Sequence, residues 1–139
     1  MQMASLKSVH NSSQKQQATM LLNEMAGHIR NNYVGAKAGV YTNQVANCSA
    51  PPTNSCRLTA CTPTELAAAD LYQVLCGDGG DNVGVKNTLV NGAMTVTCPV
   101  NCATALRLGI SWSERATTKN EATELTPFEL FMEIVVRGR

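Results

Sequence analysis

The sequence predicts an α+β fold: a long N-terminal helix packed on an antiparallel β-sheet, with a second short helix and disulfide-stapled loops between them. Three observations predict it. The first thirty-odd residues carry one helical apolar stripe. The last third carries three segments of strict apolar/polar alternation. Six cysteines fall in the irregular middle of the chain. At 139 residues the chain is expected to form one domain (1–139) with a real core.

The stripe of the first helix (1–32) consists of Leu6, Val9, Leu21, Leu22, Met25 and Ile29, with Ala18 and Met20 filling in. Lys7, Ser12, Lys15, Gln16, Asn23 and Arg30 lie mostly off it. No strong cap precedes the helix. Asn31 and Asn32, then Gly35 and Gly39, mark its end.

Residues 33–90 read as a connection with little regular structure from Tyr33 to Cys61, where Gly, Asn, Ser, Thr and Pro are dense. One helix interrupts it. Thr62 is the N-cap, Pro63 sits at N1 and Glu65 at N3, a T-x-x-E capping box, and Gly77 is the stop. The helix therefore spans about 63–76. Its expected apolar side is Leu66, Ala69 and Val74, extended by Leu71. The run Gly77-Asp78-Gly79-Gly80-Asp81-Asn82 is a surface turn; it lacks the further ligands and closing Glu of an EF-hand calcium loop.

The sheet occupies 91–139. Met94, Val96 and Cys98 share one face of the first segment. Leu106, Leu108, Ile110 and Trp112 share one face of the second, and Phe128, Leu130, Met132, Ile134 and Val136 one face of the third. Period two with one apolar face means a sheet that is dry on one side, and consecutive strands of this kind pair antiparallel. Ser113 to Pro127 is the expected surface connection. The expected core includes Leu66, Val96, Leu108, Ile110, Trp112, Leu130 and Ile134. About 27 helical residues span roughly 40 Å, against about 15–20 Å for the width of four strands. One end of the helix is therefore expected to project.

Cys48, Cys56, Cys61, Cys76, Cys98 and Cys102 are separated by seven, four, fourteen, twenty-one and three residues. No paired CxxC of a zinc ribbon is present, and His10 and His28 lie far upstream, so no metal site is expected. An even count in loops reads as a disulfide framework formed in an oxidising compartment. Six cysteines allow 15 pairings. Cys98 with Cys102 is favoured as a local loop, and the other pairings stay open.

Net charge is +1 and aromatics are 4% of residues, so no field draws the chain to nucleic acid. There is no P-loop, no GxGxxG and no GxSxG. His10 and His28 are 18 positions apart, about 27 Å along one helix. Ser111, Asp70 and His28 do not make a persuasive triad. No enzyme activity and no cofactor are expected.

Gln17-Ala18-Thr19-Met20-Leu21-Leu22-Asn23-Glu24-Met25-Ala26-Gly27-His28-Ile29-Arg30-Asn31-Asn32 resembles the helix of PilV-type minor pilins, the type IV pilus modification proteins. The stretch from Cys56 to Leu75, where Cys61-Thr62-Pro63-Thr64-Glu65-Leu66-Ala67 leads into Asp70-Leu71, is similar too. So is the strand Leu108-Gly109-Ile110-Ser111-Trp112. Tyr72-Gln73-Val74 departs from the pattern, which has a Trp nearby. The resemblance implies a soluble headpiece whose helix has lost its apolar first half, inserted in the inner membrane in its full-length form. It also implies a bacterial, periplasmic or pilus-borne protein that primes pilus assembly. Its partners would be other minor pilins, the major pilin and a tip adhesin. In that reading Leu6 and Val9 face neighbouring helices in the filament. The loops Tyr33 to Cys61 and Gly77 to Lys86 select partners. The alternatives are a type II secretion pseudopilin, which shares the architecture, and a small secreted disulfide-rich enzyme or inhibitor.

Overall fold

The computed structural model describes residues 2–42, 46–56, 59–77, 83–115 and 125–136, with side chains from Ser13 onward except those of Arg115 and Leu125. The chain forms helices α1 (Gln2–Asn31), α2 (Tyr33–Lys37), α3 (Pro63–Cys76) and α4 (Val85–Thr88), then strands β1 (Ala93–Thr97), β2 (Ala105–Arg115) and β3 (Leu125–Val135). The strands make an antiparallel sheet in the order β1-β2-β3. The fold is α+β, with three strands among the described residues.

Helix α1 buries Gln14, Ala18, Leu21, Leu22, Met25, Ala26 and Ile29, a row spaced by three and four residues. The row covers the sheet face formed by Leu106, Leu108, Ile110 and Trp112 of β2 and Ile134 of β3, all buried in the same cluster. Gln14 anchors one end. Its Nε2 donates to the Ser113 carbonyl at 3.5 Å, and its Oε1 accepts from the Val90 N–H at 3.3 Å. At the other end, Gly39 packs against Cys102, just before β2 begins. The helix therefore runs against the direction of β2. Gln14 to Asn31 spans about 26 Å of helix, matching about 26 Å of strand from Ala105 to Ser113.

Met20 does not fill the stripe; it is 65% exposed, because its position faces away from the sheet. The backbone is helical at Leu6 and Val9, but their side chains, like that of His10, lie outside the described residues.

Helix α3 begins on a complete capping box. The Glu65 N–H donates to Thr62 Oγ1 at 3.1 Å, and Glu65 Oε1 accepts from the Thr62 N–H at 2.9 Å. Its buried row is Ala67, Asp70, Leu71, Val74, Leu75 and Cys76. The expected row of Leu66, Ala69 and Val74 is thus displaced: Leu66 and Ala69 are only half-buried. The cause is Asp70, a carboxylate drawn into the interior, which breaks the apolar period that sequence reading relies on.

The strands are longer than their alternation indicates. Ser113 pairs with Pro127, Glu114 with Thr126 and Arg115 with Leu125. The connection expected at Ser113 to Pro127 therefore narrows to 116–124, outside the described residues. Polar residues extend both strands because backbone pairing needs no apolar side chain. Glu114 is buried, and its Oε2 accepts from Trp112 Nε1 at 3.1 Å. Val96 and Leu130 pack against the core while only partly buried, since they sit on the two edge strands and the helix covers the central one. Phe128 shares the inner row but stays exposed, stacked on Trp112 at 6.2 Å between centroids.

The stretch from Tyr33 contains the helical turn α2, and that from Gly77 contains α4. Asp78 to Asn82, where calcium ligation was weighed, lies outside the described residues.

The disulfides are Cys48–Cys76, Cys56–Cys61 and Cys98–Cys102. The first joins the long connection to the end of α3 across a sequence separation of 28, against 5 and 4 for the others. Loop-closure entropy ranks them in that order. Replacing Cys48 and Cys76 by Ser should destabilise by about 3–4 kcal/mol, and replacing either short-range pair by roughly 2 kcal/mol. Urea unfolding of the three double variants tests the ranking.

Candidate functional site

The exposed flank of α1 and the polar clasp behind it concentrate the chain's functional potential. The clasp assembles four residues from three segments. Asn32 follows α1, Tyr41 lies in the turn after α2, Asp70 is in α3 and His28 is in the last turn of α1. Tyr41 donates its hydroxyl proton to Asp70 Oδ2 at 2.7 Å. Asn32 Nδ2 donates to the Tyr41 oxygen at 3.2 Å and to the Pro63 carbonyl at 2.9 Å. His28 Nδ1 lies 3.3 Å from Asp70 Oδ1, and its Nε2 lies 3.8 Å from Glu24 Oε2. Every buried side-chain nitrogen and oxygen among the described residues has a partner.

Local sequence sets up this arrangement. Gly35 is required because a Cβ there would sit 2.8 Å from both Asn32 Nδ2 and Val40 Cγ2. The chain can therefore fold back after α2. Gly39, at φ 79°, supplies the reversal that brings Tyr41 inward. The capping box fixes the start of α3, and hence the register that points Asp70 at Tyr41.

Burial sets the electrostatics. It pushes the Tyr41 phenol well above its ordinary range, helped by the hydrogen bond to Asp70 and by its charge. Tyr41 thus remains a proton donor throughout the physiological range. Burial raises Asp70 above the ordinary carboxylate value, while the Tyr41 hydrogen bond and the charge of His28 pull it back. Ser111 sits on the outer face of the sheet, paired with Ala93 and Glu129, away from His28 and Asp70. The arrangement ties the end of α1 to α3 through Tyr41 and Asn32. The sequence offers His28 and Asp70 only as parts of an unpersuasive triad with Ser111, and the structure brings the two together without Ser111. Asn32 is marked in the sequence only as part of the helix stop and Tyr41 is not marked at all; the Gly35 and Gly39 pair is the available signal of a reversal there.

Two further surfaces are exposed, one beside the clasp and one on the far side of the sheet. A cleft of about 340 Å³ runs beside the outward side of α1, lined by Gln17, Met20, Glu24, Gln73, Val83 and Thr88. On the outer face of the sheet, Phe131 and Val135 are exposed. There Arg107 donates to Glu133 Oε1 at 2.7 Å.

Among the residues marked out from the sequence, Leu21, Leu22, Met25 and Ile29 are buried, as are Leu108, Ile110, Trp112 and Ile134. All six cysteines are bonded. Among the described residues no group of histidines, cysteines and carboxylates is placed to hold a metal ion. Tyr41→Phe leaves Asp70 Oδ2 and the Asn32 amide without their shared partner. It should cost about 1–3 kcal/mol in urea unfolding while the fold, read by circular dichroism, is retained.

No curated protein and no solved structure shows significant similarity to the chain. A protein-family model described as Tt1218-like, Type IV pilin Tt1218, matches residues 1–72, just over half of the 139 residues. The match runs through α1 and α2 and into α3, and so takes in every residue of the clasp. The chain belongs to this family of type IV pilins.

Proposed function

We propose that the chain is a PilV-type minor pilin, a non-enzymatic subunit that takes part in priming and assembling the type IV pilus and sits in its tip complex. As a type IV pilin it acts by assembling with other pilins in a pilus. In this reading 1–139 is one pilin-like headpiece. Its helix contacts other minor pilins and the major pilin, and its loops meet a tip adhesin. The full-length form waits in the inner membrane of a bacterium before entering the filament. Among the described residues no helix is long and apolar enough to cross a membrane.

One observation supports this reading above the rest: the backbone of α1 is helical for twelve residues ahead of Gln14, where its described docking begins. The described docking begins at Gln14, which bonds to Ser113 near the end of β2. The twelve residues Gln2–Ser13 continue the same helix for about 18 Å. A filament of packed helices uses such a length, with contacts set by ridges, grooves and apolar complementarity.

The division of the helix has a direct test. Leu22→Asp places a charge in the core and should unfold the headpiece, at a cost of several kcal/mol. Leu6→Asp should leave its thermal melt unchanged and impair pilus assembly. Equal thermal damage from both variants would overturn the division. Pull-down against minor pilins and against type II pseudopilins then separates the filaments; capture by the pseudopilin set alone would reassign the chain to secretion.

A further inference from the structure

We propose that His28 and Asp70 form a proton-operated clasp, which tightens the joint between α1 and α3 when His28 becomes cationic. The geometry carries the argument. His28 Nδ1 stands 3.3 Å from Asp70 Oδ1. The second carboxylate oxygen of Asp70 is already engaged by Tyr41 at 2.7 Å. Asp70 is buried, while His28 keeps about a quarter of its side chain in solvent. The imidazole is therefore open to proton exchange, and the carboxylate is held away from water.

Among the described residues, the titratable groups that face His28 are Glu24 from its own helix at 3.8 Å, Asp70 from α3, and Tyr41 through Asp70. The β1 residues beside Tyr41, Met94 to Thr97, add no ionisable group. No cationic side chain among the described residues bonds to Asp70 in place of His28.

A cationic His28 stands beside a buried carboxylate, and the two opposite charges attract across 3.3 Å. Burial pushes Asp70 toward its neutral form, and the charge of His28 holds it back. The clasp is therefore closed while His28 is cationic and Asp70 is ionised. With His28 neutral, the carboxylate keeps the Tyr41 hydrogen bond and loses the ionic one, so the joint is weaker.

The experiment is a double-mutant cycle of His28→Gln and Asp70→Asn, read by urea unfolding of the purified chain at pH 5.5 and pH 8.0. The coupling between the two sites should be roughly three- to tenfold larger, as a factor in the unfolding equilibrium constant, at the lower pH. Equal coupling at both pH values overturns the proposal. So does a pH dependence that Glu24→Gln removes and Asp70→Asn leaves intact, since Glu24 would then be the partner. Should Asp70→Asn fail to fold, the wild-type advantage over His28→Gln decides. It must grow from pH 8.0 to pH 5.5, and an unchanged or reversed advantage refutes the clasp.

Discussion

Burial of one helical row on one strand face organises the molecule. A three-stranded sheet with a single apolar face cannot persist with that face in water. Helix α1 supplies the cover through Ala18, Leu21, Leu22, Met25 and Ile29, and β2 presents Leu106, Leu108, Ile110 and Trp112 beneath it. Both β1 and β3 are recruited by pairing with β2, so the edge strands depend on the same contact. Helix α3 closes the flank with Leu71, Val74 and Leu75. Burying large side chains such as these contributes about 1.5–3 kcal/mol each relative to exposure, whereas the hydrogen bonds of the clasp add less and fix geometry more.

The two kinds of interaction divide the work. Apolar burial is non-directional and tolerates small slides of α1 along β2. The directional bonds remove that freedom. Gln14 registers one end of the docked helix through Ser113 and Val90, and Asn32 registers the other through Tyr41 and Pro63. A subunit whose helix enters a polymer needs this rigidity, because any slip of the rod in its headpiece shifts every contact above it.

Much of the architecture was legible in the sequence. The capping box at Thr62 and Glu65 located α3, and the strict alternation of Leu106 to Trp112 identified the central strand. Both signals are local, so one sequence carries them in full. What was missed depends on distant partners. Asp70 carries no local signal of its burial, which depends on Tyr41 and His28, and that burial displaced the apparent face of Leu66. Glu114 looked like loop because its indole partner, Trp112, was assigned only to the core. The disulfide partner of Cys48 was likewise a tertiary fact, while Cys98 and Cys102 are close enough in sequence to be paired by inspection. The site was less legible than the fold for the same reason: three of its four clasp residues meet only after two chain reversals.

Asn32 illustrates how far one amide can reach. It occupies the position before α2 from which a side chain ordinarily caps a helix, and it makes no such bond. Its amide turns inward instead, so the five residues of α2 persist through burial of Gly35 and Ala36. The bearing on which the polypeptide departs from the rod is thereby steered by a single carboxamide. A substitution there would leave the rod itself intact and swing the whole of the following loop to a new heading.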